Sequence, residues 1–250
     1  MKFRKNAALG DSGVAGIPGH FEGKGLGGKS GALRAAIFGA NDGLVSNLAL
    51  IMGVAGATSN IHVVLLAGIA GLLAGAFSMG AGEFISMRVQ RDVFENLLAY
   101  ERRELEEQPD EELAELIAIY ETKGIPAELA RATAEAVHSN PAITLDTHAR
   151  EELGLDPDDL GSPWGAAISS FITFSFGAII PLAPFMLLRG TTAVVVAVVL
   201  SLGTLFAIGG FMTIFTGKNF AMQGMKMAVL GGAAALITWL VGGALGVNVA

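Results

Sequence analysis

Five apolar stretches, at residues 35–57, 61–87, 164–188, 191–215 and 225–247, constrain this sequence more than any other feature. Each is long enough to cross a hydrocarbon core of about 30 Å. The chain is therefore predicted to be an all-α, polytopic membrane protein with five transmembrane helices. Charge is distributed in a way that fits only part of the chain into lipid. Of the 23 acidic residues, Asp11, Glu22, Asp42 and Glu83 precede Arg88, none follows Asp159, and the other 19 lie between. One acidic, soluble module interrupts the membrane protein between its second and third spans.

Lys and Arg set the expected orientation. Six lie in residues 1–34, seven between Arg88 and Arg150, and two, Lys218 and Lys226, between spans four and five, so a cytoplasmic N-terminus places 15 of 16 inside. The acidic module is then cytoplasmic and the C-terminus outside. Residues 1–32 are glycine-rich and carry no apolar run suited to a cleaved signal peptide, and are predicted to be a flexible cytoplasmic arm. The expected division is 1–32 arm, 33–88 spans one and two, 89–162 acidic helical domain, and 163–250 spans three to five.

Within the module, no Gly or Pro falls between Glu83 and Gln108, so the second span is predicted to continue unbroken until Pro109. A helix from Asp110, as cap, to Lys123 follows, then one from Pro126 to Ser139 and one from Ala142 to Leu153, with Gly124 and Gly154 as stops.

The chain has no Cys, which excludes disulfides, thiolate metal sites and a Cys nucleophile. Any metal must meet oxygen, imidazole or thioether. Glu101 and Glu104 share a helix face, and Glu112 and Glu115 repeat that spacing after the reversal at Pro109. A helical hairpin can thus oppose two carboxylate pairs, which repel unless protons or hard divalent cations neutralise them. The same run, with Glu106, Glu107 and Glu111, also suits a solvated acidic face. His148 and Glu152, four apart, can chelate a cation or simply stabilise their helix. His62 and His138 have no such companion and receive no role.

In the first span, Asp42 lies about seven residues deep, where a carboxylate costs roughly 2.5–3.5 kcal/mol to insert. Asn41, Ser46 and Asn47 supply further oxygens nearby. On the second span Met79 reaches a similar depth and shares a face with Glu83. Gly68, Gly71, Gly75, Ser78 and Gly82 recur on that span as a predicted packing seam. Pro181 and Pro184 are expected to bend the third span. Met222, Met225 and Met227 fit interfacial packing better than a metal relay.

The chain resembles the vacuolar iron transporter family over residues 33–248. The resemblance rests on Gly39-Ala40-Asn41-Asp42-Gly43-Leu44, on the run from Ala74 to Glu83, on the Glu-rich insertion, and on Glu152-Leu153-Gly154-Leu155 at its end. It implies a homodimer of five-span subunits that exports Fe²⁺ from the cytosol in exchange for protons. It also implies that Asp42 and Met79 line the path, near the first spans of both subunits, and that Glu101, Glu104, Glu112, Glu115 and Glu152 bind metal. Asn41, Asn47 and Glu83 are taken with the path, and His148 with the metal ligands. The chain departs from some members at Gly71, where they carry an intramembrane glutamate, and at His148-Ala149, where they carry a Met pair.

No prosthetic group and no enzymatic activity are expected, since no nucleophile, cofactor motif or acid–base set is found. Fe²⁺, or Mn²⁺ as the alternative, is substrate. The expected partners are divalent cations, protons, lipid and a second copy, not nucleic acid. The expected membrane is a bacterial-type inner membrane, or a vacuole-like compartment in a eukaryote. A membrane-anchored metal buffer or sensor is the remaining alternative; it would need the acidic module but not Asp42.

Overall fold

The computed structural model describes residues 27–246, which contain nine α-helices and no strand. The first, α1 (Gly27–Ala57), begins ahead of the apolar run and takes in the end of the expected arm. The rest of that arm, and the tail after Gly246, lie outside the described residues. A three-residue reversal follows, in which the Asn60 side chain accepts from the His62 amide at 3.0 Å and caps α2 (Ile61–Glu107). This second helix is unbroken for 47 residues. At 1.5 Å per residue it is about 70 Å long, more than twice the thickness of a hydrocarbon core.

The inserted module is built on the far end of α2. Gln108 ends α2, its amide bonding to the Glu104 carbonyl at 2.7 Å, and also precedes α3 (Pro109–Thr122). The expected cap, Asp110, instead lies in the first turn of α3. Pro109 needs no amide partner and has the right φ for a first helical residue, so it starts the helix early. Asp110, Glu111 and Glu112 then face the positive end of the helix dipole. Gly124, at φ 86°, turns the chain into α4 (Ala127–His138). Asn140 caps α5 (Pro141–Glu151), accepting from the Ala142 amide at 3.2 Å. Gly154, at φ 65°, ends it, with the Leu155 amide bonded back to Ala149 at 2.9 Å. Leu116, Tyr120, Ala130 and Ala134 form a small core between α3 and α4.

The chain then returns to apolar helices. Ser162 caps α6 (Pro163–Leu187), which continues as one helix through Pro181 and Pro184. The fourth stretch is split: α7 (Gly190–Phe211) ends early, and a single turn, α8 (Thr213–Thr216), follows. Thr213 Oγ1 donates to the Gly210 carbonyl at 2.6 Å, and Gly217 turns at φ 64°. The last helix, α9 (Phe220–Gly246), starts before the expected Met225, because Asn219 caps it by accepting from the Met222 amide at 3.1 Å.

Five helices are long and apolar enough to cross a membrane, and the chain is a multi-pass membrane protein. In lipid each such helix satisfies its own backbone, so packing depends on close approach. Helix α1 is the hub, lying against α6, α9, α2 and α7. A Cβ at Gly43 would strike the Phe174 backbone, and one at Gly242 would strike the Gly53 carbonyl, so α1 meets α6 and α9 backbone to backbone. The small residues of α2 allow close packing mainly against side chains, with one backbone approach, a Cβ at Gly80 falling 3.3 Å from the Ala167 carbonyl of α6. Gly68 and Gly75 face the side chains of Leu182 and Phe174, and Gly82 faces open space.

Candidate metal site and membrane cavity

The module's functional candidates come from three helices. Glu101 extends from α2, six turns beyond Met79. Glu112 lies in the first turn of α3, and His148 lies near the end of α5, followed by Glu152 just past it. Glu101, Glu112 and His148 are buried, at 1%, 3% and 0% exposure. One ligand atom from each of these three residues and Glu152 lies within 4.8 Å of all the others. His148 Nδ1 stands 3.1 Å from Glu101 Oε1, 3.6 Å from Glu112 Oε2 and 3.8 Å from Glu152 Oε2.

Donors bound octahedrally with bonds of about 2.1 Å stand about 3.0 Å apart when adjacent and about 4.2 Å apart when opposite. The three separations from His148 Nδ1 fall in that range. Glu101 Oε1, Glu112 Oε2 and His148 Nδ1 are all buried without an aligned hydrogen-bond partner. Buried polar atoms are normally satisfied, so three orphans pointing at one spot fit a divalent cation bound between them.

The electrostatics fit the same description. Burial, and then the charges of Glu101, Glu115, Glu152 and Glu104, push the Glu112 carboxyl up to about 7. Burial works against a charged His148, but the Glu101 and Glu152 carboxylates beside it, with the fields of Glu101 and Glu112, raise it to about 9. Near neutral pH the metal-free cluster therefore holds protons where a cation would sit.

Glu104 and Glu115 are half-buried at the rim and reach Glu112 through their fields. Each predicted carboxylate pair thus sends one member inward and leaves the other at the edge. Glu106, Glu107 and Glu111 are exposed. Ion pairs brace the surroundings: Lys123, just past α3, to Glu151 of α5, and Arg150 to Asp146 at 3.0 Å and Asp156 at 2.8 Å. Sequence reasoning missed His138, whose Nε2 lies 2.9 Å from His148 Nε2. No spacing rule could have found it, because the contact crosses from α4 to α5.

A second polar site lies among the spans. A cavity of about 420 Å³ is walled by Asp42, Ser46, Asn47, Gly71, Ser78 and Met79, with Phe38, Leu50, Gly75 and Phe174. It brings together Asp42, Asn47 and Met79. Asn47 is buried, and its amide donates to the Ala178 carbonyl at 2.8 Å, leaving Oδ1 buried and without a hydrogen bond. Asn41 is not among the walls. Nor is Glu83, which meets Arg34 of α1 at 3.6 Å. Met222 and Met225 are exposed, and Met227 packs its sulfur against Gly209, so these three form no cluster.

The fold and its two sites define a class: a multi-pass membrane protein with a polar intramembrane cavity and a helical insertion that gathers carboxylates and an imidazole. Residues 33–243 match the VIT family, and the chain belongs to it. It is 34% identical over 200 residues to vacuolar iron transporter 1 of Arabidopsis thaliana, covering 80% of each chain. It is also 34% identical over 216 residues to the vacuolar iron transporter of Acanthamoeba castellanii, covering 86% of this chain and 79% of that one. Vacuolar iron transporter 1 of Eucalyptus grandis is 32% identical over 200 residues, again 80% of each chain.

Proposed function

We propose that this chain is a divalent metal transporter that exports Fe²⁺ from the cytosol in exchange for protons. The observation that carries this reading is the pairing of two sites on one helix. Met79 of α2 walls the intramembrane cavity, and Glu101 of the same helix enters the buried cluster. The curated relatives, named as iron transporters, supply the cargo.

In this reading residues 89–162 form a cytoplasmic metal-binding domain between the span groups 33–88 and 163–250, with the N-terminus inside and the C-terminus outside. Glu101, Glu112, His148 and Glu152 hold the ion, and Glu104 and Glu115 draw cations toward it by their charge. The ion displaces protons from His148 and Glu112, then passes to Asp42, Asn47 and Met79, where two oxygens and a thioether replace lost water. Asn41 and Glu83 stand beside the path, and Gly71 offers no carboxylate for a proton. Protonation of carboxylates on the outer side favours release.

The cavity's walls include the exposed residues Phe38, Ser46, Leu50 and Ser78, so it opens sideways. Its open flank supports a homodimer in which α1 of a second copy closes the path. The membrane is proposed to be a bacterial-type inner membrane, or that of a vacuole-like compartment in a eukaryote. The test is uptake into proteoliposomes of Fe²⁺ and Mn²⁺, with and without a pH gradient. Fe²⁺ flux that rises with the gradient supports the proposal. Faster Mn²⁺ flux would make Mn²⁺ the cargo, and high-affinity binding without flux would make the chain a membrane-anchored metal buffer or sensor.

A further inference from the structure

His138 is the last residue of α4, and its Nε2 lies 2.9 Å from the Nε2 of His148. The two rings meet edge to face, with centroids 5.0 Å apart. The turn that brings them together is tied down. Asn140 caps α5, and Thr144 Oγ1 donates to the carbonyls of Val137 at 3.0 Å and Asn140 at 2.9 Å. Two imidazole nitrogens at this distance share one proton, so one ring donates and the other accepts.

His148 has its other nitrogen, Nδ1, turned toward Glu101, Glu112 and Glu152. An ion among those carboxylates needs the Nδ1 lone pair, which is free only when the remaining proton of a neutral ring is on Nε2. We propose that His138 is a positioning residue for metal capture, accepting the Nε2–H of His148 and so presenting the Nδ1 lone pair to the ion. The proposal rests on the metal-binding reading of the cluster. The geometry makes His138 the acceptor: the Nε2–Nε2 contact admits a single proton, and an ion on Nδ1 leaves that proton on the His148 side. Without that acceptor, the Nε2–H that remains once the ion has displaced the Nδ1 proton is buried with no partner, and the metal-bound form is weakened. Partners of this kind, one bond removed from a metal, are typically worth about 10- to 100-fold in affinity.

The test uses the full chain, purified in detergent, with Mn²⁺ titrated by calorimetry. His138→Phe keeps an aromatic ring against His148 but cannot accept a hydrogen bond, whereas His138→Gln places an acceptor oxygen near the former Nε2. We expect Mn²⁺ affinity to fall about 10- to 100-fold in H138F and to stay within about threefold of wild type in H138Q. With ¹⁵N-labelled histidine and diamagnetic Zn²⁺, a slowly exchanging Nε2–H signal of His148 should persist in wild type and H138Q and vanish in H138F. Wild-type affinity in H138F would overturn the proposal, as would an H138Q that folds but binds as weakly as H138F. Failure of the wild-type chain to bind Mn²⁺ at all would instead overturn the cluster as a metal site, and the role of His138 with it.

Discussion

Glu112→Gln should make the metal-free protein more stable while removing its response to metal. The Glu112 carboxyl is pushed from its usual 4.5 up to about 7 by burial and by the surrounding glutamates. An acid with a raised value binds protons more tightly in the folded chain than in the unfolded one. Its folded state therefore loses stability as pH climbs from the unfolded value to the folded one, and the whole loss is present above 7. At 1.36 kcal/mol per unit, that loss is at most about 3 kcal/mol at pH 8 and falls below about 1 kcal/mol at pH 5. Attraction to His148, 3.6 Å away, is also lost with the charge. A net gain of about 1–3 kcal/mol in the variant at pH 8 is the expectation. Thermal melting of the apo protein at pH 8 and pH 5, each with and without Mn²⁺, measures it. E112Q should melt above wild type at pH 8 and near it at pH 5, and Mn²⁺ should raise only the wild-type midpoint. Changing the exposed Glu106 and Glu107 to Gln should move neither quantity. An E112Q chain that melts below wild type at pH 8 and still gains from Mn²⁺ would refute the reasoning.

Asp42→Asn keeps shape but loses the charge that offsets a dehydrated cation, and should cut proteoliposome flux by about tenfold or more without affecting insertion; wild-type flux would remove Asp42 from the path. Met79→Leu should shift the Fe²⁺ to Mn²⁺ flux ratio by about threefold, because only the softer ligand is lost, and an unchanged ratio would leave Met79 a packing residue. A methyl group at Gly71 would strike Leu50 and lie 2.8 Å from Asn47 Oδ1, so Gly71→Ala should slow flux while expression holds. Equal flux would mean that Asn47 Oδ1 takes no part. Because His148 is raised to about 9 and Glu112 to about 7, Mn²⁺ binding should release about one proton at pH 8 and nearer two at pH 6, and affinity should fall as pH falls. Calorimetry in buffers of different ionisation heat measures that release, and a buffer-independent heat would contradict it.

Periodicity and hydropathy report what a segment does along its own axis, and there the sequence was readable. The five apolar helices, the unbroken run from Ile61 to Glu107, and the stops at Gly124 and Gly154 follow from local rules. Hydropathy integrates over a window, so it overran the break at Met212, where the Thr213 hydroxyl bonds back to Gly210 without any loss of apolarity, and left-handed Gly217 ends only the turn that follows. Spacing put Glu101 with Glu104 and Glu112 with Glu115, but it could not tell which of each pair turns inward. That depends on how α2 and α3 cross. Asn41 and Asp42 are neighbours in sequence, yet a helix points them about 100° apart, and only Asp42 walls the cavity. His138 became visible only when α4 and α5 were placed side by side.

The length of α2 has a mechanical consequence. Met79 and Glu101 are 22 residues apart on one stiff rod, about 33 Å at 1.5 Å per residue. A tilt of only about 5° about Met79 would sweep Glu101 sideways by about 3 Å, more than the length of a metal–oxygen bond. The other three donors are on α3 and at the end of α5, which pack against α2 and lead on through residues 152–162 to α6. Movement of the rod in the membrane is thus geared up at its tip. On the proposed reading, a tilt of α2 at Met79 also moves one of the cluster's four donors, which would couple entry to the cavity with release from the cluster by a lever and not by a relay of side chains.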